Sequence, residues 1–110
     1  MIWTMKKAHK FGAVRTKRQE ISFASKLEAR YFDHLNLLKQ AGKVVFFIRQ
    51  PSFDLGAGIQ YRADFMVFYS DGSCEIVDCK GIETSDFKLK KKLLEERYPF
   101  DLKIVTSKDF

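Results

Sequence analysis

From Leu27 onward, apolar residues recur at Tyr31, Leu35 and Leu38, the spacing of one helix face, and Gly42 marks where that helix ends. Ser25 followed by Glu28 is a capping-box arrangement for its start. Lys43 to Arg49 (KVVFFIR) is β-branched and aromatic, which predicts a strand; Gln50 and Pro51 close it, since proline cannot continue a central ladder. Ser52 to Ile59, with Gly56 and Gly58, reads as a loop. Tyr61 to Gly81 (YRADFMVFYSDGSCEIVDCKG) sets two apolar runs on either side of Ser70, Asp71, Gly72 and Ser73, which predicts a hairpin. Thr84, Ser85 and Asp86 are cap residues for a second helix, FKLKKKLLEERY, that Pro99 stops. Phe87, Leu89, Leu93, Leu94 and Tyr98 make its expected apolar side, with Lys88, Lys91 and Lys92 opposite. Asp101 to Thr106 (DLKIVT) is a last strand, and the strand, helix, strand order implies a right-handed crossover that lays it parallel to CEIVDCK. Before Ser25 the pattern yields only a short extended piece, with Ile21 and Phe23 on one face and Ala13 to Thr16 as its pairing partner. The expected architecture is α/β: a central mixed four-stranded sheet flanked by helices, in the order helix, three strands, helix, strand.

Composition narrows this picture. A chain of 110 residues has room for one domain and no separate recognition domain, and its 45% hydrophobic content argues for a packed core. The formal net charge of +6 is unevenly spread: residues 1–20 hold six bases, Lys6, Lys7, Lys10, Arg15, Lys17 and Arg18, against the single acid Glu20. The chain therefore divides into a basic arm, 1–20, and a domain, 21–110. Concentrated positive charge suits a polyanion such as nucleic acid, and a solvated tail accounts for it equally well. The longest apolar run, VVFFI, is far short of the ~20 residues that span a bilayer, and MIWTMKKAHK has no apolar region after its charges. A soluble, cytoplasmic protein without membrane contact is expected. Cys74 and Cys79 lie on one strand with opposite parity, so they are expected as buried, reduced thiols. His9 and His34 have no partners at metal-ligand spacing.

Candidate chemistry concentrates on the second strand of the hairpin. Alternation puts Asp78 and Lys80 on one face and Cys79 on the other. An ion pair at a strand end explains so short a triplet, as does a site. Glu28 has two readings as well. It can close the capping box on the Ser25 amide, yet it is in register with Phe32 and Leu35 on the buried side of the helix, where a carboxylate needs a partner. Gln50 either lines a site edge or caps strand-end backbone groups with its amide. The lysine run of the second helix is a phosphate-contacting surface or a solvated face.

Taken in order, FASKLEARYF, RQPSFDL, YRADFMVF, EIVDCKG and FKLKKKL resemble the small, mostly phage-encoded domains of the PD-(D/E)xK nuclease superfamily, over about Phe11 to Thr106. The first acidic motif departs from the family pattern, with Ala63 where proline precedes the aspartate, and the third has Asp78 where many relatives have Glu. The resemblance implies a restriction-endonuclease-like core and a Mg²⁺-dependent DNA endonuclease, with Mn²⁺ able to substitute, acting on branched DNA in phage recombination, replication or processing. It assigns Asp64 and Asp78 as metal ligands, the Cys79 backbone carbonyl as a third, Glu28 as completing the acidic cluster, and Lys80 as the catalytic cation. Gln50, Lys88, Lys91, Lys92 and the arm's bases would contact nucleic acid. A homodimer is expected, since one small domain grips a duplex poorly and cutting both strands needs two sites. The alternative is a nucleic-acid-binding or assembly module that keeps the fold without turnover.

Overall fold

The computed structural model describes residues 21–109. The arm, with Lys6, Lys7, Lys10, Arg15, Lys17 and Arg18, and the pairing expected for Ala13 to Thr16, therefore lie outside the described residues. The elements are α1 (Lys26–Gln40), β1 (Val44–Arg49), β2 (Ser52–Gly56), β3 (Ile59–Arg62), β4 (Phe65–Tyr69), β5 (Cys74–Cys79), α2 (Ser85–Arg97) and β6 (Leu102–Val105), followed by a 3₁₀ turn at Ser107–Asp109. Four strands form a mixed sheet in the order β1-β4-β5-β6. Its first three strands are antiparallel and β6 runs parallel to β5, in the register Ile76 to Leu102 and Cys79 to Val105. The expected α/β sheet with two helices is present. No helix among the described residues is long and apolar enough to cross a membrane.

Local chemistry explains the helix ends. Ser25 Oγ accepts the Glu28 N–H at 3.1 Å and Thr84 Oγ1 accepts the Phe87 N–H at 3.1 Å, each satisfying an amide that has no partner within its helix. Beyond the C-cap Ala41, Gly42 takes φ +79°, a left-handed turn that costs glycine little.

The two faces of the sheet are covered differently. Tyr31 and Leu35 of α1 pack on Val44, Phe65, Val67, Val77 and Val105. On the opposite face Phe87 and Leu94 of α2 pack on Ile76 and Leu102, together with Phe53, Leu55, Tyr61 and Ala63. These last four overturn the expected loop: Ser52 to Ile59 is β2, a short turn and the start of β3, a separate antiparallel hairpin with Phe53 opposite Tyr61. Gly56 and Gly58 mark its turn, where Gly56, Ala57 and Gly58 all take positive φ. The hairpin is fixed to α2 by the Tyr98 hydroxyl, which donates to the Asp54 carbonyl at 2.8 Å, and by an edge-on contact of Phe53 with Tyr98.

Three further expectations are corrected. Leu89 is 58% exposed, because the buried stripe of α2 runs through Phe87, Leu94 and Tyr98 and Leu89 falls nearly half a turn away from it. Lys91 lies beside that stripe, half-buried and paired with Glu95 at 3.2 Å, rather than with the exposed Lys88 and Lys92. Cys74 and Cys79 are unbridged but only partly buried, being near the ends of β5.

This packing predicts a contrast within one helix. Leu94→Ala should lower the urea-measured unfolding free energy by about 2–5 kcal/mol through a buried cavity. Leu89→Ala should change it by no more than about 0.5 kcal/mol. Equal losses for the two variants would contradict the assigned face of α2.

Candidate active site

The site forms where two strand pairs bend together. β1 passes into β2 through Gln50 and Pro51, and β3 into β4 through Ala63 and Asp64. The two bends are joined by the Gln50 N–H donating to the Asp64 carbonyl at 2.9 Å and the Ala63 N–H to the Pro51 carbonyl at 3.0 Å. Gln50 makes its bend at φ +55°, a left-handed conformation that costs a non-glycine residue on the order of 1 kcal/mol. Of the two roles open to Gln50, strand-end capping is thus performed by its backbone rather than its amide, and the side chain is left exposed.

The register pairing Phe65 with Val77 puts Asp64 opposite Asp78 at the open end of β4 and β5, so both side chains leave the same face. Each carboxylate then bonds backbone of the other strand. Asp78 Oδ1 accepts the Asp64 N–H at 2.8 Å, and Asp64 Oδ2 accepts the Cys79 N–H at 2.8 Å. Asp78 is 1% exposed, and its second oxygen, Oδ2, has no hydrogen-bond partner among the described residues. Asp64 is half-buried and opens the pair to solvent.

Positive and negative groups surround this pair. Lys80, on the face of Asp78, holds its ammonium 4.7 Å from the centre of the Phe87 ring. Burial pushes the Asp78 carboxyl up to about 6, with Glu28 acting the same way, while the Asp64 N–H and Lys80 pull it down. The Asp64 carboxyl is also raised, first by burial and then by Glu28, against the Cys79 N–H, Lys80 and Arg49. The Cys79 thiol is pushed up to about 12 by burial and by the charges of Asp64, Glu28 and Asp78, so it stays protonated at neutral pH. Cys79 thus serves the pair through its backbone N–H.

Glu28 is 2% exposed, as its place on the helix predicts, and it has found a partner in Arg49. Arg49 Nη2 lies 3.4 Å from Glu28 Oε2, while Glu28 Oε1 accepts the Ala24 N–H at 3.2 Å. The capping box is therefore closed on Ala24 rather than on Ser25. Arg49 also donates to the Ser22 carbonyl at 3.3 Å and stacks 4.5 Å from the Phe23 ring centre, which ties the chain ahead of α1 to the end of β1. Arg49 is the participant that the sequence pattern did not single out. Its signal is weak, an arginine closing an apolar strand ahead of a proline.

The structure thus brings Glu28, Asp64, Asp78 and Lys80 to one end of the sheet, with Arg49 and Gln50 beside them. Lys91 is occupied by Glu95, whose Oε2 also accepts the Leu102 N–H at 3.0 Å, and Lys88 and Lys92 are exposed on α2. Among the described residues no three His, Cys, Asp or Glu side chains are grouped so as to hold a metal ion. Two carboxylates are still compatible with Mg²⁺, which keeps most of its water shell and takes one or two protein carboxylates plus substrate oxygens. The unpartnered Asp78 Oδ2 beside Asp64 is an oxygen donor of the hard type such a cation takes.

The fold and site together define an α/β protein with an interlocked acid pair and a lysine at one sheet end. The chain belongs to the family described as "Protein of unknown function (DUF1064)", which matches residues 8–108. No curated protein matches the sequence.

The raised Asp78 pKa has a definite sign. Because the folded protein holds this proton up to about pH 6 and the unfolded chain releases it near pH 4, metal-free stability should fall as pH rises between the two. Unfolding free energies in EDTA should show this decline for the parent protein and a flatter profile for Asp78→Asn. Identical pH profiles would mean that Asp78 is not desolvated as described.

Proposed function

We propose that this protein is a Mg²⁺-dependent DNA endonuclease built on a restriction-endonuclease-like core. The observation that carries the reading is the interlocked Asp64 and Asp78, with a buried oxygen left without a partner and Lys80 alongside. A structural ion pair would direct its second carboxylate oxygen to a donor, because an unsatisfied buried acceptor costs about 1–3 kcal/mol. Asp64 and Asp78 would hold the cation, which when bound supplies charge neutralisation at phosphorus and a water of lowered pKa. The chain's own residues do the rest. The two backbone N–H bonds fix the carboxylates before substrate arrives, so little reorganisation is left for the reaction step. Lys80, steadied over Phe87, places a positive charge where the phosphate gains negative charge in the transition state. Arg49 holds Glu28 in position, so Glu28 acts here as a source of negative charge felt by both aspartates and as an anchor for α1. The arm and the exposed Lys88 and Lys92 would attract the DNA backbone. Branched or otherwise structured DNA is the substrate this reading favours, since basic surfaces that contact phosphates position a protein on DNA without reading its sequence. A cytoplasmic setting follows from that substrate.

A second reading, a nucleic-acid-binding or assembly module without turnover, has one observation in its favour: Glu28 is engaged by Arg49 and Ala24, leaving two side-chain acids rather than three for a cation. Turnover separates the two. The test incubates pure protein with linear, nicked, flapped and four-way-junction DNA in Mg²⁺, Mn²⁺ or EDTA. Asp78→Asn should abolish cleavage and weaken Mg²⁺ binding while DNA affinity is kept. Lys80→Ala should retain metal binding and lose roughly two or more orders of magnitude in single-turnover rate. DNA binding without any cleavage in either metal would establish the second reading, and undiminished cleavage by Asp78→Asn would remove the site assignment.

A further inference from the structure

We infer that the outer edge of β1 is a self-association surface whose occupant is a second copy of this chain. β1 ends the order β1-β4-β5-β6, so among the described residues one side of its backbone has no strand partner. Proteins blunt such edges with charges, prolines, bulges or a covering element, since an open ladder recruits another strand; β1 carries one irregularity, between Val44 and Phe46, and is regular from Phe46 to Arg49. From Val44 to Ile48 this edge has neither charge nor proline, and Val45, Phe46 and Ile48 are 57%, 45% and 43% exposed. On the adjacent strand Phe68 extends the apolar patch, its ring stacked on Phe46 with centroids 4.4 Å apart. Phe46 and Ile48 lie on the face opposite α1, and α2 and the β2-β3 hairpin cover Ile76 and Leu102 on that face rather than these residues.

A copy of the same chain is the occupant that charge and symmetry select. Outside residues 1–20 the chain is nearly neutral, with 14 bases against 13 acids, so two copies can meet at an uncharged strip without a large charge penalty. Nucleic acid would find no cation between Lys43 and Arg49. Residues 1–20, with six bases against one acid, suit a polyanion. An antiparallel strand pair is self-complementary about a two-fold axis, so β1 can complete its own ladder without a second kind of surface. Pairing β1 with its mate makes one eight-stranded sheet in which both acid pairs share a face and lie at opposite ends of the strands. Counting strand spacings, the two β4-β5 forks would lie roughly 20 Å or more apart. That consequence, two cutting centres facing one duplex, rests on the nuclease reading, whereas the pairing itself does not.

The test is mass by light scattering on the full chain over roughly 1 to 200 µM, with amide exchange of residues 44–49 followed over the same range. The parent should approach twice its 12.9 kDa monomer mass, with the β1 amides that do not bond β4 protected at high concentration and exposed on dilution. Phe46→Lys and Ile48→Lys, both at exposed positions, should weaken association at least tenfold. Ile82→Lys, at an 80% exposed position off the sheet, should leave it unchanged. A monomer at every concentration with concentration-independent β1 exchange overturns the inference, as does a dimer in which the β1 amides facing away from β4 stay unprotected. Exchange in the unmodified chain distinguishes these outcomes even if a lysine variant fails to fold. A dimer that does not cut DNA defeats the nuclease reading alone, and a monomer that cuts defeats this inference alone.

Discussion

Two hydrogen bonds hold the open end of β4 and β5 together, Asp64 N–H to Asp78 Oδ1 and Cys79 N–H to Asp64 Oδ2, and much of the rest of the fold serves that lock. Where two strands part, their backbone amides lose ladder partners, and amides left unsatisfied away from water are costly. Here the Asp64 carboxylate supplies an acceptor for the Cys79 amide, and the Asp78 carboxylate gives the Asp64 amide a second, shorter acceptor beside the Val77 carbonyl at 3.2 Å. The lock therefore fixes the position of both acids with backbone rather than with flexible side chains. It also carries a penalty, since burial lifts the Asp78 carboxyl to about 6 and leaves one of its oxygens without a donor. A cation between the aspartates would relieve both costs, which is why the stability and the proposed chemistry share one location.

Everything around the lock constrains its shape. The bend at Gln50 aligns β1 and β4 at the fork through the Asp64 carbonyl, and the β2-β3 hairpin anchors that bend against α2. From the other face, α1 delivers Glu28 to the same sheet end. Its charge is admitted to the interior because Arg49 and the Ala24 N–H meet it, a buried carboxylate being tolerable only when paired. Arg49 acts twice, since its guanidinium also stacks on Phe23 and so closes the chain over the start of α1.

Much of this could be read from residues alone, and the exceptions have physical causes. Helix ends were legible because Ser25 and Thr84 cap through local contacts, within three residues of the amides they satisfy. The same-face placement of Asp78 and Lys80 followed from strand alternation, and the parallel β6 from connectivity. The β2-β3 hairpin was hidden because its glycines look like a loop, although Phe53, Leu55, Tyr61 and Ala63 alternate as a strand pair should. Arg49 was illegible because its partner lies 21 residues away on another element. Leu89 and Lys91 exchanged places because a run rich in both leucine and lysine does not define the phase of a helix; the hairpin that packs on α2 does.

Whether Asp64 and Asp78 form a divalent-cation site is tested most directly by an anomalous-scattering map from crystals soaked in Mn²⁺ near neutral pH. One peak is expected at about 2.0–2.2 Å from oxygens of both Asp64 and Asp78, the distance range of a hard, octahedral cation on carboxylates, with no peak there in Asp78→Asn crystals. An empty fork at millimolar Mn²⁺, with both hydrogen bonds of the lock intact, would contradict the cation site.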